Sequence, residues 1–284
     1  AENTSYYLDT YILYGGERYV PLEVVCEYFS FTYELVGNTY LRICDGTESL
    51  TFEELLALYC PNYQSNLNPN PPDYSSEGEH KVYLTFEGAK NSNAVLTAQI
   101  TEKILEVLRT SKVPATFFLT GDEMEALEST MCAMIADGHT IALHTMTHDE
   151  AYFAQDISHF IAELSAENDL LYRLTYAKTR IARAPNGSST ASFVISPSEY
   201  TQILQAGYVV WDWNCDLYEV TGVKSLSNAA ISAIESQYIS IIRLAINKTT
   251  VEALPTLLDY FLDNENCAIL PISQTDEEYN NIAG

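Results

Sequence analysis

Basic residues are scarce in this sequence of 284 residues. It contains 14 lysines and arginines against 39 aspartates and glutamates, which gives a formal net charge of −25. Binding to a phosphate backbone depends on Lys and Arg side chains that displace counterions, and no basic stripe provides them. We therefore expect no nucleic acid partner.

Long apolar runs are also missing. No stretch reaches the roughly 18 consecutive apolar residues of a membrane span, so we expect none. Residues 1–5 lack the basic segment and apolar core of a signal peptide, which is compatible with the mature product of signal cleavage. The hydrophobic fraction of 47% and the 21 tyrosines favour a globular protein with an acidic, tyrosine-rich surface. Such surfaces suit contact with sugars, and we predict a secreted or cell-surface protein.

Cysteine pairs of the C-x-x-C type are absent. The six cysteines are Cys26, Cys44, Cys60, Cys132, Cys215 and Cys267. We interpret most of them as buried thiols. A bridge within the first part of the chain, such as Cys26 to Cys60, stays open as an alternative, because spacing alone does not determine pairing.

Residues 1–62 alternate short strand-like runs with helix signals, which predicts a small α+β domain. Strands are expected at 10–14, 19–20, 31–36 and 39–43, with helices after Pro21 and Thr51. The order of strand, Gly-Gly turn, Tyr-Val-Pro-Leu, helix and strand pair resembles the copper amine oxidase N-terminal-like stalk domain of bacterial surface proteins. In that family the name describes a fold and implies no copper chemistry.

Residues 63–80 are rich in Asn, Pro and Ser and poor in apolar residues, which predicts a linker. From Lys81 to the end at 284 the pattern becomes α/β. Strands are expected at 82–86, 115–119, 140–143, 179–182, 208–213, 240–244 and 268–271. Helices are expected at 94–110, 124–138, 153–171, 198–206, 227–236 and 250–263. This alternation predicts a mostly parallel sheet, either open or closed into a barrel.

Two of the five histidines, His144 and His148, form an H-x-x-x-H motif between an apolar strand and an amphipathic helix. Two imidazoles at this spacing can bind one metal ion. The motif follows the carboxyl end of a strand, where α/β enzymes carry their catalytic residues. The alternative interpretation is one surface histidine and one half-buried histidine.

Six stretches, in the same order along the chain, resemble motifs of the polysaccharide deacetylase (NodB-homology) family of carbohydrate esterases. They lie at 82–87, 113–121, 138–148, 183–189, 212–216 and 248–255. The resemblance covers residues 81 to about 275 and implies a distorted (β/α) barrel of about seven strands. It also implies a divalent metal, such as zinc, at the carboxyl-terminal mouth of the barrel.

The resemblance further implies hydrolysis of the acetamide of an N-acetylated sugar. In this chemistry a metal-bound water attacks the carbonyl, a carboxylate takes its proton, and a histidine protonates the departing amine. The resemblance assigns the base to Glu87, held bidentately by Arg183, and the metal to His144 and His148. Asp216 corresponds to a residue that tunes the acid.

Substrate contacts are implied for Asn186 and Ser188, in a loop expected to touch sugar hydroxyls, and for Trp213. Barrel core is the alternative for Trp213 or its neighbour Trp211. The expected partner is a cell-wall or extracellular glycan.

Two positions depart from the family pattern. Gly88 stands where the family has the aspartate that binds the metal, after Glu87 in place of the catalytic aspartate. Leu244 and Ala245 stand where the family has its histidine acid and the following aspartate. Metal binding is therefore expected to be weak or absent unless Glu87 moves in to complete the site.

Three functions follow from these observations. The first is a cell-surface, deacetylase-like protein that has lost most catalysis and retains glycan binding. The second is an active metal-dependent N-deacetylase of peptidoglycan or a chitin-like glycan, with Glu87, His144 and His148 as an altered metal site. The third is a structural or protein-binding module.

Overall fold

A computed structural model of the protein describes residues 12–14, 17–19, 26, 32–36, 40–44, 80–88, 93–264, 266–274 and 276–282. Before residue 80, strand β1 (Ile12–Tyr14) pairs antiparallel with β2 (Glu17–Tyr19), and β3 (Thr32–Val36) with β4 (Tyr40–Cys44). The predicted strands near 31–36 and 39–43 are thus confirmed as a pair. The predicted linker and the helix after Thr51 lie outside the described residues, as does most of the helix after Pro21. The domain boundaries and the stalk resemblance stay predictions.

From residue 80 onward, strands and helices alternate as predicted. The elements are β5 (His80–Glu87), α1 (Ala94–Ser111), β6 (Thr116–Leu119), α2 (Gly121–Ala126), α3 (Glu128–Ala136), β7 (Thr140–Leu143), α4 (Glu150–Phe153), α5 (Ile157–Thr175), β8 (Ile181–Ala182), α6 (Pro197–Gln205), β9 (Val209–Val210), β10 (Cys215–Asp216), α7 (Val223–Ser236), β11 (Ile239–Ala245), α8 (Lys248–Asp263) and β12 (Cys267–Ile269). None of the helices in this described part is long and apolar enough to cross a membrane.

These strands form one parallel sheet. Their order is β10-β11-β5-β6-β7-β8-β9. Strand β12 pairs with the first residues of β5, and β6 pairs with the last residues of β5 along the same edge. The end strands β10 and β9 are not paired with each other in the described region, so the sheet is a curled half-barrel with helices around it. The predicted barrel-type α/β fold of about seven strands is thereby confirmed.

Alternation along the strands separates two faces of the sheet. On β5, Leu84 and Phe86 pack in the main core beneath the helices, whereas Tyr83 joins a smaller cluster on the concave face. The rest of that cluster is Phe118, Ala142, Ile181, Val209, Trp211, Ile241 and Ile272. Side chains alternate with a period of two, so Glu87, His144, Arg183 and Arg243 occupy concave positions nearer the carboxyl ends of four strands, and Thr85 lies between Tyr83 and Glu87 on β5. The mouth of the half-barrel is therefore lined by charged residues and imidazole.

Several helix boundaries differ from the predicted ones for local reasons. The expected helix at 124–138 is divided at Leu127 into α2 and α3. The helix expected from 153 begins as α5 only at Ile157, because the side chain of Asp156 accepts a hydrogen bond from Ser158 N and caps it there.

Four cysteines whose side chains the structure describes are free thiols: Cys26, Cys132 and Cys215 are buried and Cys267 is half-buried. The interpretation of most cysteines as buried thiols agrees with this. The alternative bridge from Cys26 to Cys60 was wrong, because the Cys26 thiol is free; Cys60 itself lies outside the described residues.

His139 lies directly before β7. Its ring is buried, and its Nδ1 accepts a hydrogen bond from Ala115 N at 3.1 Å. Burial, assisted by Arg109, lowers the pKa of His139 to about 3. A histidine whose pKa is lower in the folded state stabilises the fold above its unfolded pKa, and this contribution is lost as the pH falls.

We expect His139→Asn, whose amide oxygen can accept the same hydrogen bond, to flatten the dependence of the unfolding free energy on pH between 6.5 and 5. The difference in slope from the native protein should approach about 1.4 kcal/mol per pH unit, the value for one proton. Urea denaturation at several pH values measures it. Parallel curves for the two proteins would show that His139 titrates normally.

Candidate active site

Glu87 ends β5, and its carboxylate is buried on the concave face. Arg183, which follows β8, donates from Nη1 to Glu87 Oε2 at 3.2 Å and to Thr85 Oγ1 at 3.0 Å. Its other nitrogens donate to backbone carbonyls, Nε to Trp211 at 3.0 Å and Nη2 to Asp212 at 3.1 Å. The structure therefore forms the predicted ion pair, but Arg183 contacts Glu87 through one nitrogen and not bidentately.

A second arginine, Arg243 on β11, completes the surroundings of Glu87. Its Nε donates to Glu87 Oε1 at 2.6 Å, and its Nη2 makes a closer contact with the same oxygen. Its Nη1 donates to Asp216 Oδ2 at 3.3 Å. The guanidinium packs on two rings, 4.1 Å from the centroid of Trp213 and 4.2 Å from that of Tyr218. Both oxygens of Glu87 are thus bound by guanidinium groups.

These neighbours determine the protonation state of Glu87. Burial alone would raise its pKa, but His144, Arg183 and Arg243 together outweigh burial and lower the pKa below its usual value. Burial lowers the pKa of His144 to about 3, so this imidazole is neutral at pH 7 and the two guanidinium groups provide the positive charge. A general base works best with a pKa near the operating pH. Glu87 is therefore a weak base as it stands.

The loop that carries the two histidines, residues 144–148, is called the histidine loop below. Thr145 and His148 have φ angles of 70° and 53°, left-handed values that cost a non-glycine residue about 1–2 kcal/mol each. Glu167 of α5 holds the loop by accepting from His144 N at 3.2 Å and Thr145 N at 2.8 Å. The two imidazole centroids are 4.8 Å apart. The H-x-x-x-H motif thus forms a rigidly supported pair.

Among the described residues, only one ring nitrogen of His144 has a hydrogen-bond partner. Nδ1 lies 3.0 Å from the carbonyl oxygen of Arg183, so it carries the proton and donates. The unprotonated Nε2 is buried and has no hydrogen-bond partner among the residues that the structure describes. A neutral imidazole with a free lone pair is the form in which histidine binds zinc.

Gly88 follows the buried carboxylate, and the space beside it is filled by Glu123 of α2. A Cβ atom built on Gly88 would lie 1.6 Å from Glu123 Oε1 and 2.3 Å from its Cδ. Glu123 is buried, and its Oε2 accepts from Thr120 N at 2.9 Å within the capping box that begins α2. Helix α2 also contacts the histidine loop, because Gly121 N donates to Thr145 O at 3.3 Å. A second carboxylate therefore stands where a side chain of residue 88 would begin.

The predicted metal ligands are brought together only in part. His144 and His148 are adjacent, whereas Glu87, expected to complete the site, is held by two arginines. Across the part of the chain that the structure describes, no three His, Cys, Asp or Glu side chains converge as ligands of one cation. The two imidazoles fit zinc, and a third protein ligand requires a side-chain movement.

The predicted substrate residues differ in accessibility. Ser188 is fully buried, with Oγ donating to Asp212 Oδ2 at 2.5 Å and N donating to Asp212 Oδ1 at 2.9 Å, so it supports the loop. Asn186 is exposed and has a φ of 57°. Trp213 is half-buried beside Arg243. Of the three, Asn186 and Trp213 are therefore the residues that a ligand at the mouth can reach.

Residues 75–203 match the family model described as polysaccharide deacetylase. The YheN protein of Bacillus subtilis, which carries a provisional polysaccharide deacetylase name, is 29% identical over 191 residues, and the match spans 64% of each chain. A peptidoglycan-N-acetylglucosamine deacetylase of Bacillus cereus is 23% identical over 215 residues, covering 72% of this chain and 75% of its own. This part of the chain is thus similar to members of the polysaccharide deacetylase family. The catalytic domain of peptidoglycan N-acetylglucosamine deacetylase from Eubacterium rectale has the same fold, with a TM-score of 0.62 at 22% identity over 74% of this chain and 96% of that one.

In this domain, neither position that the resemblance assigns to the acid and its following aspartate carries a proton donor. Leu244 is buried in the core beneath the helices. Ala245 is paired with Glu87 in the β11–β5 register, and because side chains alternate along a strand, both residues lie on the concave face. A side chain at Ala245, and not at Leu244, would point toward Glu87. The other three histidines lie elsewhere: His80 begins β5, His139 precedes β7, and His159 is on α5.

Sequence reasoning missed two residues of this site. Arg243 had one usable signal, since a charged side chain inside the apolar run Ile239–Ala245 has to be paired if it is buried. For Glu123, the only sequence signal was its spacing from Thr120. This spacing predicts a capping box but does not predict a contact with Gly88. Both contacts join distant parts of the chain and depend on the tertiary fold.

Proposed function

We propose that this domain binds an N-acetylated cell-wall glycan at the mouth of the half-barrel and has lost efficient deacetylation. The observation that supports this most is the hydrogen bonding of the Glu87 carboxylate. Both of its oxygens accept hydrogen bonds from guanidinium groups, of Arg183 and Arg243. To take a proton from water, the carboxylate would have to give up at least one buried, charge-assisted contact.

A proton donor is the second group that the proposal regards as missing. Ala245 faces Glu87 where a donor would be useful, and a methyl group cannot protonate a departing amine. Loss of a general acid reduces a rate by about 10²- to 10⁴-fold, and a poorly available base reduces it further. Binding of the glycan needs neither group.

Support for a glycan ligand comes from the accessible residues and from the relatives. Trp213 offers a ring for stacking on a sugar, and Asn186 offers a polar side chain beside it. The Bacillus cereus relative is named for peptidoglycan N-acetylglucosamine. We accordingly place the protein at the cell surface, in contact with peptidoglycan or a chitin-like polymer.

The test is to incubate the purified protein with N-acetylglucosamine oligomers and soluble peptidoglycan fragments. We expect saturable binding by calorimetry and acetate release at least about 10²-fold slower than that of the Bacillus cereus relative. Trp213→Ala should weaken binding about three- to tenfold through loss of stacking. Tyr238→Ala, which removes an exposed ring at the opposite end of β11, is the matched control and should leave binding unchanged.

Acetate release within about tenfold of the relative's rate would instead establish an active deacetylase, because that rate excludes loss of both acid and base. Absence of binding to every glycan tested would favour a structural or protein-binding module. Either result contradicts the proposal.

A further inference from the structure

We propose that Asp212 positions the two residues at the mouth that a ligand can reach, and that residues 276–282, called the closing segment below, hold Asp212 in place. The Asp212 side chain is fully buried, so it acts through the turn that carries Asn186 and through Trp213, and not by touching the ligand. Its effect on binding rests on the proposed function, whereas the positioning itself can be measured without a glycan.

The carboxylate of Asp212 accepts three hydrogen bonds. Ser188 N donates to Oδ1 at 2.9 Å, Ser188 Oγ donates to Oδ2 at 2.5 Å, and Asn281 N donates to Oδ2 at 2.7 Å. Buried N–H and O–H donors require acceptors, and a carboxylate suits all three because both of its oxygens accept. Asp212 therefore joins the loop that contains Ser188 to the closing segment.

The turn of residues 184–187 lies against the Trp213 ring. Its exposed residue, Asn186, has a φ of 57°, and the turn is closed by a hydrogen bond from Gly187 N to the carbonyl of its first residue at 2.9 Å. A Cβ on Gly187 would lie 3.0 Å from Trp213 Cη2 and 3.4 Å from Asp212 Oδ1, so no room for a side chain is left between the turn and the ring. The relative placement of Asn186 and Trp213 thus depends on the bonds that Asp212 makes to the next residue of this loop.

The closing segment reaches Asp212 from the other end of the sheet. Shortly before it, Ile272 N donates to Thr116 Oγ1 at the amino end of β6 at 2.8 Å. At the mouth, Asp212 N donates to Tyr279 O at 2.7 Å, which adds a backbone bond to the one from Asn281 N. Because Asp212 follows the end strand β9, these bonds take the place of the neighbouring strand that this edge of the sheet lacks. A change in the closing segment therefore alters the mouth without touching the ligand.

Fluorescence quenching by acrylamide tests the positioning directly. The chain has two tryptophans, and Trp211 is buried, so the quencher reaches mainly the half-buried Trp213. Asp212→Asn keeps the shape of the side chain but replaces an accepting oxygen with an NH₂ group, which cannot accept from the three donors. We expect a larger quenching constant in this variant than in the native protein, because the turn no longer packs against the ring. Asp137→Asn is the matched control: Asp137 is a buried carboxylate at the end of α3 that accepts from Arg109 Nε at 2.9 Å, and its replacement should leave quenching unchanged.

Calorimetry with N-acetylglucosamine oligomers tests the effect on binding. Asp212→Asn should weaken binding about three- to tenfold, the range expected for Trp213→Ala, because the ring loses its fixed position. The two losses should not multiply in the double variant, since Asp212 acts through the residue that Trp213→Ala removes. Asp137→Asn should bind as the native protein does.

Two replacements of Asn281 test the closing segment. Asn281→Pro removes the backbone N–H that donates to Asp212, whereas Asn281→Ala keeps this N–H and shortens only an exposed side chain. We expect the proline variant to show the increased quenching and the weaker glycan binding of Asp212→Asn. The alanine variant should match the native protein in both measurements.

Native quenching in folded Asp212→Asn overturns the inference, and so do binding losses that multiply fully in the double variant. Native quenching in Asn281→Pro overturns the role of the closing segment. If Asp212→Asn does not fold by circular dichroism, Ser188→Ala takes its place, because it removes only the bond from Oγ, and unchanged quenching then has the same meaning. Increased quenching in Asp212→Asn together with no glycan bound by the native protein supports the positioning role and contradicts the proposed function alone.

Discussion

Replacing Arg183 with methionine is expected to lower the free energy of unfolding by about 3–5 kcal/mol. The side chain is fully buried, and its guanidinium donates to Glu87, Thr85 and the carbonyls of Trp211 and Asp212. Methionine fills a similar volume but leaves these acceptors without their donor. Burial raises the pKa of Glu87, and in this variant one fewer cation would lower it. Urea denaturation followed by circular dichroism measures the loss.

Arg173→Met is the control for this variant. Arg173 is an exposed arginine in the last turn of α5, and its replacement should change the unfolding free energy by less than about 0.5 kcal/mol. A loss below about 1 kcal/mol in Arg183→Met would mean that Arg243 alone compensates the buried carboxylate. The proposed function would then lose its main support, because one arginine would be enough to compensate the buried charge of Glu87.

Arg243 also contacts both of the carboxylates that the resemblance assigns to proton transfer. Its position opposite Thr85 in the β11–β5 register brings its guanidinium over the concave face, where it reaches both Glu87 and Asp216. Asp216 was predicted to tune an acid, and in the structure its carboxylate accepts from Arg243 instead. One cationic side chain thus connects the two carboxylates that the resemblance assigns to proton transfer. This arrangement favours a stable ion-pair network over a site that exchanges protons.

The parts of this fold that the sequence predicts are those with local signals. The alternation of Val82, Leu84 and Phe86 identifies β5 and its buried face, and the apolar run before His144 identifies β7. Parallel strands bring their carboxyl ends to one edge, so the meeting of Glu87, His144 and Arg183 follows from the strand assignment.

The remaining parts depend on register and packing. Whether Leu244 or Ala245 faces the mouth changes with a shift of one residue, which reverses the direction of every side chain in the strand. The motif comparison assigned the acid to Leu244, and the pairing of Ala245 with Glu87 shows which position points inward. The contact of Glu123 with the space beside Gly88 depends on how α2 packs. No local pattern encodes it.

Gly88→Asp is expected to destabilise the native chain and to be tolerated once Glu123 is shortened to alanine. In the single variant the new Cβ overlaps the Glu123 carboxylate and places a second negative charge beside it. Overpacking of a buried site costs about 1–3 kcal/mol. Glu123→Ala alone loses the hydrogen bond to Thr120 N, about 1 kcal/mol. In the double variant the aspartate fills the space that the glutamate has left.

A double-mutant cycle on the unfolding free energy separates these effects. We expect Gly88→Asp and Glu123→Ala together to cost about 1–3 kcal/mol less than the sum of the two single changes. Gly88→Asp combined with Glu199→Ala, which opens the other capping box, should be additive within about 0.5 kcal/mol. Additivity in both pairs would show that Glu123 does not occupy the space of residue 88.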